Sequence, residues 1–145
     1  MSMRLLLKRV KVVCAIIVAT GLIFVTFAPS AVFAQTLPFG FYLNFLRGNT
    51  STRYQKRNTK NPQNKWMVKV TKNSEGKHTI ARFWLENEWD VNVSKGYNTY
   101  SDSKVHAHPA YKSANNTTVK MTAENNNINM SQPYVQGSWA EEGYK

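Results

Sequence analysis

Two groups of side chains in this sequence have types and spacings that could do chemistry. His106 and His108 stand in the run His-Ala-His. On a strand, alternate residues share a face, so the two rings would lie roughly 7 Å apart on one side. Imidazoles so placed chelate zinc or copper once a third ligand joins them, and His78 and Asp102 are the candidates. Without a third ligand at metal-site spacing, the pair reads as two surface histidines ahead of Pro109. Glu86, Glu88 and Asp90 form the second group, alternating around Trp89. Carboxylates held roughly 5 Å apart do the acid and nucleophile work of a retaining glycosidase. A solvated strand face gives the same alternation, and no recognisable catalytic motif surrounds these acids.

A third pattern suits binding. Arg47, Arg53, Lys56, Arg57, Lys60 and Lys65 fall in one stretch that holds no acid and only Tyr54 as a sizeable apolar group. Such a stretch has little to bury, so a long cationic loop is expected. Its partners would be anionic: a polyphosphate-bearing cell-wall polymer, a membrane surface, or an envelope component of a target cell. Near an anionic membrane each neutralised cation adds about 1 kcal/mol. Nucleic acid would also satisfy the charge, but the expected location argues against it.

That location follows from the first 34 residues. Arg4, Lys8, Arg9 and Lys11 precede an apolar stretch from Val12 to Phe27, and Ala31-Val32-Phe33-Ala34 follows. The order of cationic, apolar and small-residue segments is that of a secretory signal peptide, with the cut expected after Ala34. The apolar stretch approaches the roughly 20 residues of a spanning helix, so an uncleaved anchor is the competing reading. Cys14, the sole cysteine, lies inside the apolar stretch. The exported part then has no thiol, which removes disulfides, thiolate metal sites and cysteine nucleophiles from consideration. An exported small domain without disulfides points to a Gram-positive type of bacterium. No cofactor is implied. Asn49, Asn92, Asn115, Asn116 and Asn129 precede Ser or Thr in glycosylation spacing, which in such a bacterium is a by-product of composition.

Four of the 19 cations and none of the 8 acids lie in the leader, so 15 face 8 in the remainder. That remainder is long enough for one domain with one core. Residues 35–64 hold an apolar strand plus the cationic loop, and residues 65–145 the core β-domain, together one domain. Phe39, Phe41, Leu43 and Phe45 alternate, which predicts a strand with one apolar face docked on the sheet. Further strands are expected over 65–72, 77–86, 89–94, 104–108, 117–123 and 134–139, with a hairpin turn at Asn73-Ser74-Glu75-Gly76. One core is predicted from Trp66, Val68, Val70, Trp84, Val91, Val93, Val119 and Trp139. No part of the remainder sustains a 3.6-residue apolar period. The fold class is therefore all-β, a small antiparallel sandwich or barrel of about six to eight strands.

The run Met121-Thr122-Ala123-Glu124-Asn125-Asn126-Asn127, followed by Tyr134-Val135-Gln136-Gly137-Ser138-Trp139-Ala140-Glu141-Glu142, resembles the ending of a family of small secreted Gram-positive proteins of unknown function. Asn64-Lys65-Trp66 and Phe83-Trp84-Leu85 are similar to that family's middle strands, so the resemblance runs from about Arg53 onward. Ala140 departs from it where an acid is usual, and Tyr134 stands one position off. The family brings no activity and hence no functional residues. Gly137-x-Trp139 and the general character also resemble lactococcin-972-like bacteriocins. The leading expectation is a secreted, non-enzymatic protein that binds an anionic cell-envelope surface. A bacteriocin-like antibacterial protein and an extracellular hydrolase are the alternatives.

Overall fold

The computed structural model describes residues 35–61, 63–126 and 130–143. The expected leader, its expected cut after Ala34 and Asn129 lie outside them. In chain order the strands are β1 (Leu37–Tyr42), β2 (Thr50–Ser51), β3 (Gln55–Arg57), β4 (Trp66–Asn73) and β5 (Ile80–Asn87). Then come β6 (Tyr97–Tyr100), β7 (His106–His108), β8 (Thr117–Asn125) and β9 (Tyr134–Ala140). One-turn 3-10 helices lie at Phe45–Arg47 and Lys112–Ala114. Two antiparallel sheets result, one in the order β1-β9-β4-β7 and the other β2-β8-β5-β6, with β3 also paired to β8.

Alternation makes the core. In β4, Trp66, Val68 and Val70 face inward, while Met67, Lys69 and Thr71 face out. In the opposing sheet Ala81, Phe83 and Leu85 of β5 and Val119, Met121 and Ala123 of β8 face them. Phe39 of β1 crosses between the sheets to Phe83, with ring centroids 5.9 Å apart. The first strand thus docks, Leu37 to Tyr42 pairing with Trp139 to Tyr134. At Gly137 the β4 backbone comes so close that a side-chain carbon would lie 1.9 Å from the Lys69 carbonyl oxygen. The register of β4 against β9 shifts at that level, between Val70 and Lys72.

Several expectations are corrected. The turn at 73–76 is present, with Gly76 at φ 116°, but it joins strands of opposite sheets, so it makes an arch and no hairpin. Val91 is exposed, because residues 88–90 turn back and only Asn92 bridges to Glu86. Trp84 is buried, but on the outer side of its sheet and outside the core cluster. The stretch 47–65 is no continuous loop: β2 and β3 pair with β8 at Ala123 and Thr122, then at Val119 to Thr117. What that stretch cannot bury by itself, it stabilises by edge pairing.

Candidate functional site

The register of β2 and β3 along β8 decides where the six expected cations go. Arg57 lies opposite Thr117 with its side chain turned inward, and it is fully buried. Its guanidinium donates to the carbonyl oxygens of Glu141 and Asn64. The carboxylates of Glu142 and Glu141 lie near enough to act on it electrostatically. Burial pushes the guanidinium pKa below its ordinary value, and Glu142 and then Glu141 oppose that shift. The Asn64 amide binds both ends of this segment, donating to Glu142 Oε2 at 3.4 Å and accepting from the Gly143 N–H at 3.0 Å. Arg57 therefore belongs to the interior and leaves the expected binding set.

Above this cluster, Lys56, Lys60, Lys65 and Lys112 are exposed at one end of the sandwich. Lys56 Nζ donates to the Asn116 carbonyl at 3.1 Å, and the Asn115 amide donates to the Lys60 carbonyl at 3.2 Å. The Asn115 N–H closes the turn on the Lys112 carbonyl. Lys65 enters β4 at the same end, where its charge acts on His108. Arg53 lies midway, beside an open groove of about 460 Å³ whose walls include Phe39, Phe41 and Gln55. Arg47 precedes β2 and so lies at the opposite end. Three of the six expected cations are brought together, and Lys112, far away in sequence, joins them.

The acids do not offset these cations outside. Among the described residues ten Lys and Arg are exposed against two acids, Glu88 and Asp90. Glu86, Glu141 and Glu142 are buried. Asp102 holds His106 at 2.9 Å, and Glu124 holds Arg82 at 3.4 Å. Sequestering negative charge inside leaves a positive field outside.

The expected catalytic acids separate. Glu86 takes hydrogen bonds of 2.8 Å from Trp84 Nε1 and from Thr122 Oγ1, with Lys120 Nζ at 3.4 Å. Asp90, on the turn, reaches the same Lys120 at 2.5 Å, and that hydrogen bond lowers its carboxyl pKa. Glu88 points to solvent. The three share no strand face, since β5 ends at Asn87. Two of them clamp a lysine, which is an ion-pair arrangement and no acid and nucleophile pair across a substrate.

The two histidines do share the inner face of β7, with ring centroids 6.4 Å apart and nearly parallel. Each ring turns to its own partner: His106 Nε2 to Asp102, and His108 Nε2 to Thr99 Oγ1 at 3.5 Å. His108 stacks on Tyr97 at 4.3 Å and lies 5.2 Å from Trp66. Burial there, with the charges of His106 and Lys65, pushes its pKa down to about 4. No three His, Cys, Asp or Glu among the described residues converge on a metal position, and His78 stays in the 74–79 turn region.

The resemblance motifs prove to be parts of the scaffold. Asn64-Lys65-Trp66 and Glu141-Glu142 meet around Arg57, Gly137 permits the close strand approach, and Trp139 fills the core. A family model described as Protein of unknown function (DUF2712) matches residues 30–143. No curated protein and no solved structure matches the chain.

Proposed function

The chain belongs to the DUF2712 family of proteins of unknown function, and from its charge geometry we propose that it is an exported, non-enzymatic protein binding an anionic polymer of the cell envelope. The observation that carries this reading is the unequal exposure of charge: among the described residues ten cations are exposed against two acids, with Lys56, Lys60, Lys65 and Lys112 gathered at one end. A phosphate-rich polymer meets several of them at once and needs no shaped pocket. Contacts of this kind are screened by salt over a Debye length of about 8 Å at physiological ionic strength.

Retention on purified anionic wall polymer at low salt, with release as salt rises, is the expected result. Replacing Lys56, Lys60, Lys65 and Lys112 together by Gln abolishes that retention. Unchanged retention of the fourfold variant overturns the reading, and retention on anionic lipid vesicles alone moves the partner to the membrane.

The antibacterial alternative needs an apolar element free to enter a target membrane. Burial of Phe39 and Leu43 ties most of the alternating strand into the fold, so that reading rests on what little of the segment stays outside. A growth-inhibition assay on a panel of Gram-positive bacteria tests it, and clearing zones would displace the polymer-binding reading.

A further inference from the structure

The end of the sandwich opposite the lysine cluster has a different chemistry. Just after β1 the chain turns through the 3-10 segment Phe45–Arg47, and Leu46 and Arg47 take positive φ of 50° and 61°. Residues other than glycine seldom adopt that left-handed conformation, and where they do the surroundings must hold them there. Here the surroundings are built. Leu43 is buried as an anchor and its N–H binds the Pro133 carbonyl at 2.9 Å. The Asn44 amide donates to the Asn49 carbonyl at 2.7 Å, and Thr50 Oγ1 donates to the Tyr42 carbonyl at 3.0 Å. These staples close the loop at its base and leave its tip outward.

The tip is apolar. Phe45 is 46% exposed, Leu46 55% and Tyr42 64%, and Met130, beyond β8 at the same end, is 72% exposed. Arg47 follows Leu46 in the chain, and Lys72 and Lys77 are also exposed at that end of the sandwich. The nearby Glu75 is partly buried and accepts a hydrogen bond from Ser131 at 2.6 Å. Exposed apolar side chains, an exposed tyrosine and cations at the same end make up the composition of a membrane-interface anchor: apolar groups in the acyl boundary, Tyr at headgroup level and cations on the phosphates. A protein partner would need a matching concave groove. A bilayer needs none.

We infer that this end of the molecule docks on a phospholipid bilayer, with Phe45 and Leu46 entering the headgroup boundary. The lysine cluster at the other end then faces away from the membrane, toward the polymer side. The docking stands on its own observations and does not depend on polymer binding.

Co-sedimentation of residues 35–145, which include both sheets and the whole core, with phosphatidylglycerol–phosphatidylcholine vesicles tests it. The wild-type domain is expected to sediment with them. The double variant Phe45→Ser, Leu46→Ser is expected to lose at least tenfold in vesicle affinity while melting as wild type does, since both side chains are exposed. Lys56→Gln with Lys60→Gln is expected to sediment unchanged, which separates this docking from the polymer reading. Arg47→Gln should weaken binding to the anionic vesicles and leave pure phosphatidylcholine binding unaltered. Wild-type sedimentation of the double variant overturns the inference. Failure of the wild-type domain to bind either vesicle also overturns it and assigns the tip to a protein contact.

Discussion

Arg57 and its neighbour Lys56 show how one position in a strand separates a buried side chain from an exposed one. Arg57→Gln takes the guanidinium donor away from two buried carbonyl oxygens, those of Glu141 and Asn64. Since a buried acceptor left without its donor costs about 1–3 kcal/mol, a loss of stability of that order is expected. Lys56→Gln should change stability by less than about 0.5 kcal/mol, as surface substitutions do. Chemical denaturation of the two variants checks the contrast, and equal midpoints would place Arg57 back on the surface. His108 gives a pH dependence with a definite sign. Its folded pKa of about 4 lies below the ordinary 6.5, so the unfolded chain binds the proton first as pH falls. Stability is full above 6.5 and declines between 6.5 and about 4, by about 2 kcal/mol after allowance for partial exposure. Asp102, whose pKa is lowered by its hydrogen bond to His106, loses its contribution only below the ordinary carboxylate range. Melting temperatures across that interval are therefore expected to flatten in His108→Phe, and an unchanged slope would assign the effect elsewhere.

At the scale of elements, Gly137 and β1 carry the tests. A side-chain carbon at Gly137 would meet the Lys69 backbone and, at 3.0 Å, the Phe39 ring, so Gly137→Ala is expected to cost about 1–3 kcal/mol, as overpacking does. Limited proteolysis should spare Phe39 to Leu43, which are paired or anchored, and cut at Phe45 to Arg47. Early cleavage within β1 would mean that the strand leaves the sheet. Much of this was legible in the sequence. The period-two patterns of β4 and β8 located those strands within two residues, and β9 fell within one residue of its expected range. Trp89-x-Val91-x-Val93 misled for a physical reason: the turn at 88–90 outweighed its alternation, and only Val93 reached the core. The Tyr97 to Tyr100 strand escaped notice, as Asn and Thr gave it no apolar period. Nor could spacing show that Arg57 points inward, since that depends on pairing with Thr117, sixty residues away.

The sandwich of described residues has two unlike ends, and neither could be read from composition. Formal charge counts every carboxylate alike, whereas folding buries Glu86, Glu141 and Glu142 and leaves the cations outside. Spacing placed the six cations in one stretch, whereas in the fold Arg47 and Arg53 lie apart from the lysines, Arg57 is buried and Lys112 joins from the β7–β8 connection. A surface of this kind should bind with an affinity set by ionic strength more than by ligand shape. The most direct test is the salt dependence of binding to a soluble anionic wall polymer, measured for the wild-type domain and for the variant with Lys56, Lys60, Lys65 and Lys112 changed to Gln. A steep fall in wild-type affinity as salt rises, with weak and nearly salt-independent binding by the variant, is the expected result; equal affinities and equal slopes for the two proteins would contradict the assignment of the lysine end.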